Sequence, residues 1–206
     1  MGADQERAWV LATLGGDHDA FAKLVEVYQG PVYNLAYRML GTAADAEDAT
    51  QESFLRAYTR LDTYDPGRKF SSWILSVASH YCVDRLRRRR GRNVSMEDVR
   101  GWRWIPDDDP KPEEYAARHE REATIRRMLG DLPPQYRLVI VLRYWQDLSY
   151  EEIAEITEST QSAIKSRLHR ARRMMAEMIR EADPELGAAH DRGAWRSSEN
   201  ALSRSF

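Results

Sequence analysis

Polar and cationic side chains recur along one face of a predicted helix in the last third of the chain. Ile164 and Leu168 are spaced to lie on the opposite, buried face. Hydroxyl, imidazole, ammonium and guanidinium groups on a helix can hydrogen-bond to base edges and phosphates in a major groove. This face carries Ser162, Lys165, Ser166, His169 and Arg170, with Arg172 and Arg173 further along the helix. The alternative is an ordinary amphipathic helix whose basic face is solvated.

The elements that position this face begin at a capping box, in which Ser149 is followed three residues later by Glu152. The pattern predicts a first helix at roughly 150–156, a polar turn and a second helix that starts near Gln161. The left-handed position of such a turn falls on Glu158, at a cost of about 1 kcal/mol. A short helix, a tight turn and a long basic helix are typical of a helix-turn-helix that binds duplex DNA.

A second group combines aromatic rings with cations around a predicted loop at residues 62–69. Tyr64, Phe70 and Trp73 lie in sequence beside Arg68 and Lys69. Aromatic faces and a cationic groove are what unpaired bases require, so this loop is a candidate site for single-stranded DNA. The alternative for the rings is core packing, which Phe70 and Trp73 partly favour.

Arginines follow closely on this loop. Six of them occur within residues 85–92, among them Arg85, Arg87 and Arg88. This density is too high for a merely solvated face and indicates contact with DNA phosphates.

Acidic residues dominate the start of another predicted helix. Asp45, Glu47, Asp48 and Glu52 fall on about three turns that contain no cation. Carboxylates near a helix N-terminus are favoured by the helix dipole, so a solvated acidic face is one interpretation. The formal net charge is only −2 because basic and acidic runs are segregated along the chain. Such segregation favours separate surfaces for an anionic partner and for a protein partner.

All periodic segments of the 206 residues predict helices, and no stretch alternates well enough for a strand. The expected fold is all-α, with two small helical domains joined by a flexible linker and a helix-turn-helix in the second domain. The expected segments are 1–92 for the first domain, 93–112 for the linker, 113–182 for the second domain and 183–206 for a disordered tail. Trp102 and Trp104 lie in the linker. Gly30-Pro31 is expected to break a helix, and Ser71 or Ser72 to cap another.

Several classes of function are disfavoured by composition. The five histidines have no metal-ligand spacing with one another or with the single Cys82, and no glycine-rich phosphate loop or nucleophile elbow is present. We therefore expect no enzyme activity, no metal and no cofactor. A single cysteine fits a reducing compartment, and no apolar run approaches the ~20 residues of a membrane span, so a cytoplasmic protein is expected.

Three stretches, in this order, resemble the extracytoplasmic-function sigma factors, the two-domain specificity subunits of bacterial RNA polymerase. AEDATQESFLRAY at 46–58 is similar to the polymerase-binding helix of that family. FSSWILSVASHYCVDRLRRRR at 70–90 is similar to its −10-reading helix. LSYEEIAEI and AIKSRLHRAR, preceded by LPPQYRLVIVLRY, resemble its −35-reading helix-turn-helix. The resemblance covers roughly residues 17–181.

The resemblance implies three sets of site residues. The residues implied to bind core RNA polymerase are Asp45, Asp48, Gln51, Glu52 and Leu55. The residues implied to bind the single-stranded −10 element are Tyr64, Arg68, Lys69, Phe70, Trp73, His80, Arg85, Arg87 and Arg88. His80 and Ser76 stand where the family often has Asn and Arg. The duplex −35 element falls to the polar face from Ser162 to Arg173. An anti-sigma factor, often membrane-anchored, is a further implied partner.

Two other functions remain open on the sequence. One is a helix-turn-helix activator that binds duplex DNA without being a polymerase subunit. Such a protein would not need the acidic helix or the loop aromatics of the first half. The other is a protein-interaction adaptor, which the two separate basic helices disfavour.

Overall fold

A computed structural model describes residues 3–90 and 112–182, and the side chains of 4–89 and 122–182. Within these ranges every element of secondary structure is a helix, which confirms the all-α prediction. The helices are α1 (Ala3–Leu14), α2 (His18–Leu40), α3 (Ala43–Thr59), α4 (Phe70–Arg90), α5 (Pro112–Asp131), α6 (Pro134–Tyr144), α7 (Tyr150–Ile156) and α8 (Gln161–Ala182), with a 3-10 turn at Leu61–Thr63. The predicted tail, Trp102, Trp104 and the linker before Pro112 lie outside the described residues.

Helix α2 is continuous through Pro31, so the predicted break at Gly30-Pro31 is wrong. Proline removes one backbone hydrogen bond from a helix interior. A stripe that includes Leu24, Val32, Leu35 and Met39 is fully buried along the whole helix, and burial of this stripe stabilises the continuous form. The helix begins after Asp17, whose carboxylate accepts from two backbone amides, and it ends at Gly41 with φ +90°.

The start of α4 also differs from the prediction. The helix begins at Phe70, and the amide of Trp73 donates to the carbonyl of Lys69 at 3.2 Å. Neither Ser71 nor Ser72 caps it, and Ser72 is instead only 4% exposed within the helix. The fully buried Phe70 ring draws the first turn into the core, which places the helix start before the serines.

The two halves of the chain share one apolar core. Buried Arg137 of α6 donates from Nη1 to the carbonyl of Met39 in α2, and from Nη2 to the carbonyl of Gly130 in α5, both at 2.5 Å. The Nε2 of Gln146 donates to the carbonyl of Pro31 at 3.0 Å. The bonds to Met39 and Pro31 join α2 to the second half, so the halves are packed together.

None of the described helices is long and apolar enough to cross a membrane.

Candidate nucleic-acid and protein interfaces

The helix-turn-helix has the local geometry that its sequence predicts. The hydroxyl of Ser149 accepts from the amide of Glu152 at 3.2 Å, and the Glu152 carboxylate accepts from the Ser149 amide at 3.0 Å. Glu158 occupies the turn with φ +50°, and the amide of Ser159 closes it by donating to the carbonyl of Ala154 at 2.9 Å. The predicted capping box, the first helix and the left-handed residue are all confirmed.

Helix α8 separates a buried face from an exposed one. Ile164, Leu168 and Ala171 pack into the core. The exposed face contains Ser162, Lys165, Ser166, His169, Arg170 and Arg173. These donors are therefore free to approach a groove in this conformation.

Arginines at the far end of that face differ in their surroundings. Arg173 is 70% exposed and lies 3.6 Å from Glu177. Arg172 is half-buried, and its Nε is buried without a hydrogen-bond partner among the described residues. The structure therefore separates Arg172 from the exposed face, where the sequence had placed the two arginines together.

The rings of the −10 loop form a cluster in the core. Tyr64 is 8% exposed and Phe70 is fully buried, with ring centroids 5.6 Å apart. The Tyr64 hydroxyl donates to the carbonyl of Arg68 at 2.5 Å. This burial disagrees with the expectation that Tyr64 and Phe70 offer free stacking faces, because packing has removed their rings from solvent. Trp73 is half-buried at the edge of the cluster, and its ring centroid lies 5.3 Å from that of Tyr64.

The cations of the same loop face the second half of the chain. The Nε of Arg68 donates to Glu155 at 2.5 Å, and the Nζ of Lys69 donates to Glu152 at 2.9 Å. The hydrogen bond from Lys69, followed by that from the backbone of Ser149, lowers the pKa of Glu152. The hydrogen bond between Lys69 and Glu152 raises the pKa of Lys69. Two cations predicted to contact DNA are thus paired with the first helix of the helix-turn-helix.

Helix α3 presents part of its acidic face to solvent. Asp48 is 64% exposed at its side chain, Leu55 is 58% exposed, and Gln51 is exposed between them. Glu52 pairs with Arg56 at 2.7 Å on the same helix. These four residues form an accessible surface with an apolar residue, Leu55, at its C-terminal end, and we call this surface the α3 face.

Asp45 does not belong to the α3 face. Its side chain is 12% exposed, and its Oδ1 accepts from Arg85 Nη2 at 2.5 Å and from Arg89 Nη2 at 2.6 Å. Burial alone would raise the pKa of Asp45, but hydrogen bonds from Arg89 and Thr42 outweigh it and leave the pKa below its usual value. This geometry disagrees with the expectation that Asp45 offers its carboxylate to a partner.

The basic end of α4 is divided between two faces. Arg85, with a side chain 27% exposed, turns toward α3, whereas Arg87 is 69% exposed and Arg88 is exposed. Earlier on the helix, His80 is also exposed. The sequence did not single out Arg89, although its spacing of four residues from Arg85 places both on one face.

Metal-ligand clusters do not occur in the part of the chain that the structure describes.

Comparison with known proteins identifies the class. The family model of Sigma-70 region 2 matches residues 24–92, and that of Sigma-70, region 4 matches residues 122–175. The two matches place a polymerase sigma factor's two regions on α2–α4 and on α5–α8. Because the first half matches region 2, an activator that binds duplex DNA without being a polymerase subunit is disfavoured.

The more particular family follows from full-length relatives. The chain is 38% identical over 172 residues to the ECF RNA polymerase sigma factor SigW of Bacillus subtilis, covering 81% of this chain and 92% of that protein. It is 31% identical to the RNA polymerase sigma-H factor of Pseudomonas aeruginosa, covering 87% and 98%. The chain belongs to the extracytoplasmic-function sigma factors, which are transcription initiation factors and not enzymes.

A solved structure supports the same assignment. CnrH, determined in complex with the cytosolic domain of CnrY, matches with a TM-score of 0.63 and 26% identity. The match covers 87% of this chain and 99% of CnrH. As an alternative sigma factor, the protein directs promoter recognition by RNA polymerase.

Proposed function

We propose that the α3 face binds core RNA polymerase. The support is its exposure, its acidic charge and Leu55, an exposed large apolar side chain at its C-terminal end. A basic surface on the polymerase would complement Asp48 and Glu52, and the burial of Leu55 would add apolar contact. Asp45 is left out of this surface because both of its carboxylate oxygens are occupied within the chain.

The −35 element is read by α8 in this proposal. The observation that carries it is the exposed row of donors on a helix held in helix-turn-helix geometry. Lys165, Ser166, His169 and Arg170 lie near the N-terminal half of α8, which enters a groove first. Arg173 lies further along, where a helix leaving the groove meets phosphate.

The −10 strand is captured at the start and along the outer face of α4. Trp73 is half-buried at the edge of the core, and His80, Arg87 and Arg88 are exposed. Arg68 and Lys69 can join this surface only after they leave Glu155 and Glu152. Strand capture therefore requires the loop to separate from α7, as polymerase binding would achieve by holding the halves apart.

We also propose how the chain is divided into domains, which further partner it binds and where it acts. Residues 1–92 form the polymerase and −10 domain and residues 113–182 the −35 domain, with 93–112 linking them. The solved relative CnrH is bound to the cytosolic domain of CnrY. We expect this chain likewise to bind an anti-sigma factor, and to act in the cytoplasm because its polymerase is there.

Charge reversal tests the α3 face. Asp48→Lys places a like charge against a basic polymerase surface and should weaken binding of core polymerase by at least tenfold. Asp62→Lys is the control, because Asp62 is also an exposed aspartate and lies outside the α3 face. Equal affinities of the two variants, with helical content intact by circular dichroism, would contradict the assignment.

Base reading and phosphate contact should separate along α8. The probe is a promoter duplex selected from a random-sequence library with the unaltered holoenzyme. Arg170→Ala should cost about 1–3 kcal/mol and flatten the preference at one or two −35 positions. Arg173→Ala should weaken all duplexes alike and reduce the salt slope by about one unit. Identical losses on every duplex for both variants would mean that α8 reads no sequence.

A further inference from the structure

Asp45 joins two helices to which the proposed function gives different tasks. It lies in the first turn of α3, the helix of the polymerase-binding face. Its Oδ1 accepts from Arg85 and Arg89 of α4, at 2.5 and 2.6 Å. Its Oδ2 accepts from the hydroxyl of Thr42 at 2.7 Å. Both oxygens are thus bound within the chain, and little of the side chain remains for any partner.

Arg85 and Arg89 are held on the side of α4 that faces Asp45, with side chains 27% and 42% exposed. Leu86 and Cys82 are buried beside them and pack the helix onto the core. Arg85 also donates from Nη1 to the hydroxyl of Tyr81 at 3.0 Å. Two guanidiniums one turn apart, bound to one carboxylate, fix the rotation of a helix about its own axis, because both must point the same way. We call this arrangement the Asp45 clamp.

The cations of the same turns that lie away from Asp45 are Arg87 and Arg88. Arg87 is 69% exposed, its nearest carboxylate being Asp84 at 3.9 Å, and Arg88 is exposed. Since neighbouring residues on a helix are about 100° apart, Arg87 lies about 160° from Arg85 and from Arg89, and Arg88 lies about 160° from the buried Leu86. The clamp therefore decides which arginines of this basic run can meet phosphates.

We propose that Asp45 is a positioning residue for −10 strand capture rather than a polymerase contact. It acts through Arg85 and Arg89, which hold the end of α4 so that Arg87 and Arg88 face the DNA strand. The inference rests on the proposed function, because it requires that α4 receives that strand. It assigns Arg85 to the clamp and not to phosphate contact.

The test compares Asp45→Asn with Asp48→Asn in the assembled holoenzyme. Asparagine keeps the size of the side chain and an acceptor oxygen but removes the charge that binds two guanidiniums. The probes are the −10 strand of the selected promoter, as a fluorescent single-stranded oligonucleotide, and an unrelated strand of the same length. Affinity for core polymerase is measured on the same preparations.

Asp45→Asn should leave affinity for core polymerase within about twofold and lower affinity for the −10 strand roughly tenfold, with a smaller ratio of −10 to unrelated strand. Asp48→Asn should do the reverse, because Arg85 keeps its 2.5 Å bond to Asp45 when its longer 3.4 Å contact with Asp48 is removed. A general loss of structure would lower both affinities together, so the split itself reports positioning. Arg85→Ala combined with Asp45→Asn should bind the strand no worse than either alone, because the two residues act as one unit.

Loss of core affinity in Asp45→Asn equal to that in Asp48→Asn would overturn the inference, since Asp45 would then be a polymerase contact. Unchanged strand binding would overturn it as well. Failure of the proposed function is distinguishable, because Arg87→Ala and Arg88→Ala would then leave binding of the −10 strand unchanged in the otherwise unaltered protein.

Discussion

Replacement of Arg137 by methionine should destabilise the protein more than the loss of any surface contact. Arg137 is 6% exposed and donates to carbonyls near the C-terminal ends of α2 and α5. Methionine fills much of the same space but donates no hydrogen bond, so the Met39 and Gly130 carbonyls lose a charged donor in a buried place. Hydrogen bonds from a charged group contribute about 1.5–3 kcal/mol each, so the two together contribute about 3–6 kcal/mol.

The assay is thermal and urea unfolding followed by circular dichroism. For a chain of this size each kcal/mol shifts Tm by about 2–4 °C, so Arg137→Met should lower Tm by about 6–24 °C. Arg143→Met is the matched control on the same helix, because Arg143 donates from Nη1 to a carbonyl of its own half, Leu148 at 2.9 Å. A loss in Arg137→Met no larger than in Arg143→Met would refute the view that Arg137 fastens the halves together.

Three further predictions concern the halves, the turn and the core. Arg68→Glu should weaken the packing of the two halves against each other, and adding Glu155→Arg should restore it. In a double-mutant cycle of urea unfolding the coupling between the two positions should be about 0.2–1 kcal/mol, and it should vanish in 1 M salt. Glu158→Gly should raise stability by up to about 1 kcal/mol by relieving a φ of +50°, whereas Glu151→Gly in the first turn of α7 should lower it. Cys82, fully buried with its pKa raised by burial to about 12, should react with a thiol reagent at pH 8 only as fast as the protein unfolds, and rapid labelling of the native state would contradict its placement.

Features set by neighbouring residues could be predicted from the sequence. The capping box of Ser149 and Glu152, the cap at Asp17 and the left-handed Gly41 each depend on a few adjacent residues. The buried stripe of α8 follows from helical periodicity alone. These local rules gave the all-α fold and the helix-turn-helix correctly, and motif resemblance gave the family.

Features set by distant residues could not be predicted in the same way. Pro31 signals a helix break locally, but the buried stripe of α2 keeps the helix continuous. The sequence alone places Asp45 in an acidic surface, because Arg85 and Arg89, which bind its carboxylate in the fold, are 40 and 44 positions away. Tyr64 reads as an exposed ring until the core encloses it. In each case a tertiary contact outweighs a local preference.

Reconstituted transcription is the most direct test of the central claim that this chain directs RNA polymerase to promoters. Purified chain is combined with bacterial core polymerase, and transcripts are mapped on the selected promoter fragment. We predict one defined start downstream of the selected sequence, dependent on the chain and lost with Asp48→Lys. The account is contradicted if the chain gives no defined start, or if it binds the duplex equally well without polymerase and leaves the transcript pattern of the core enzyme unchanged.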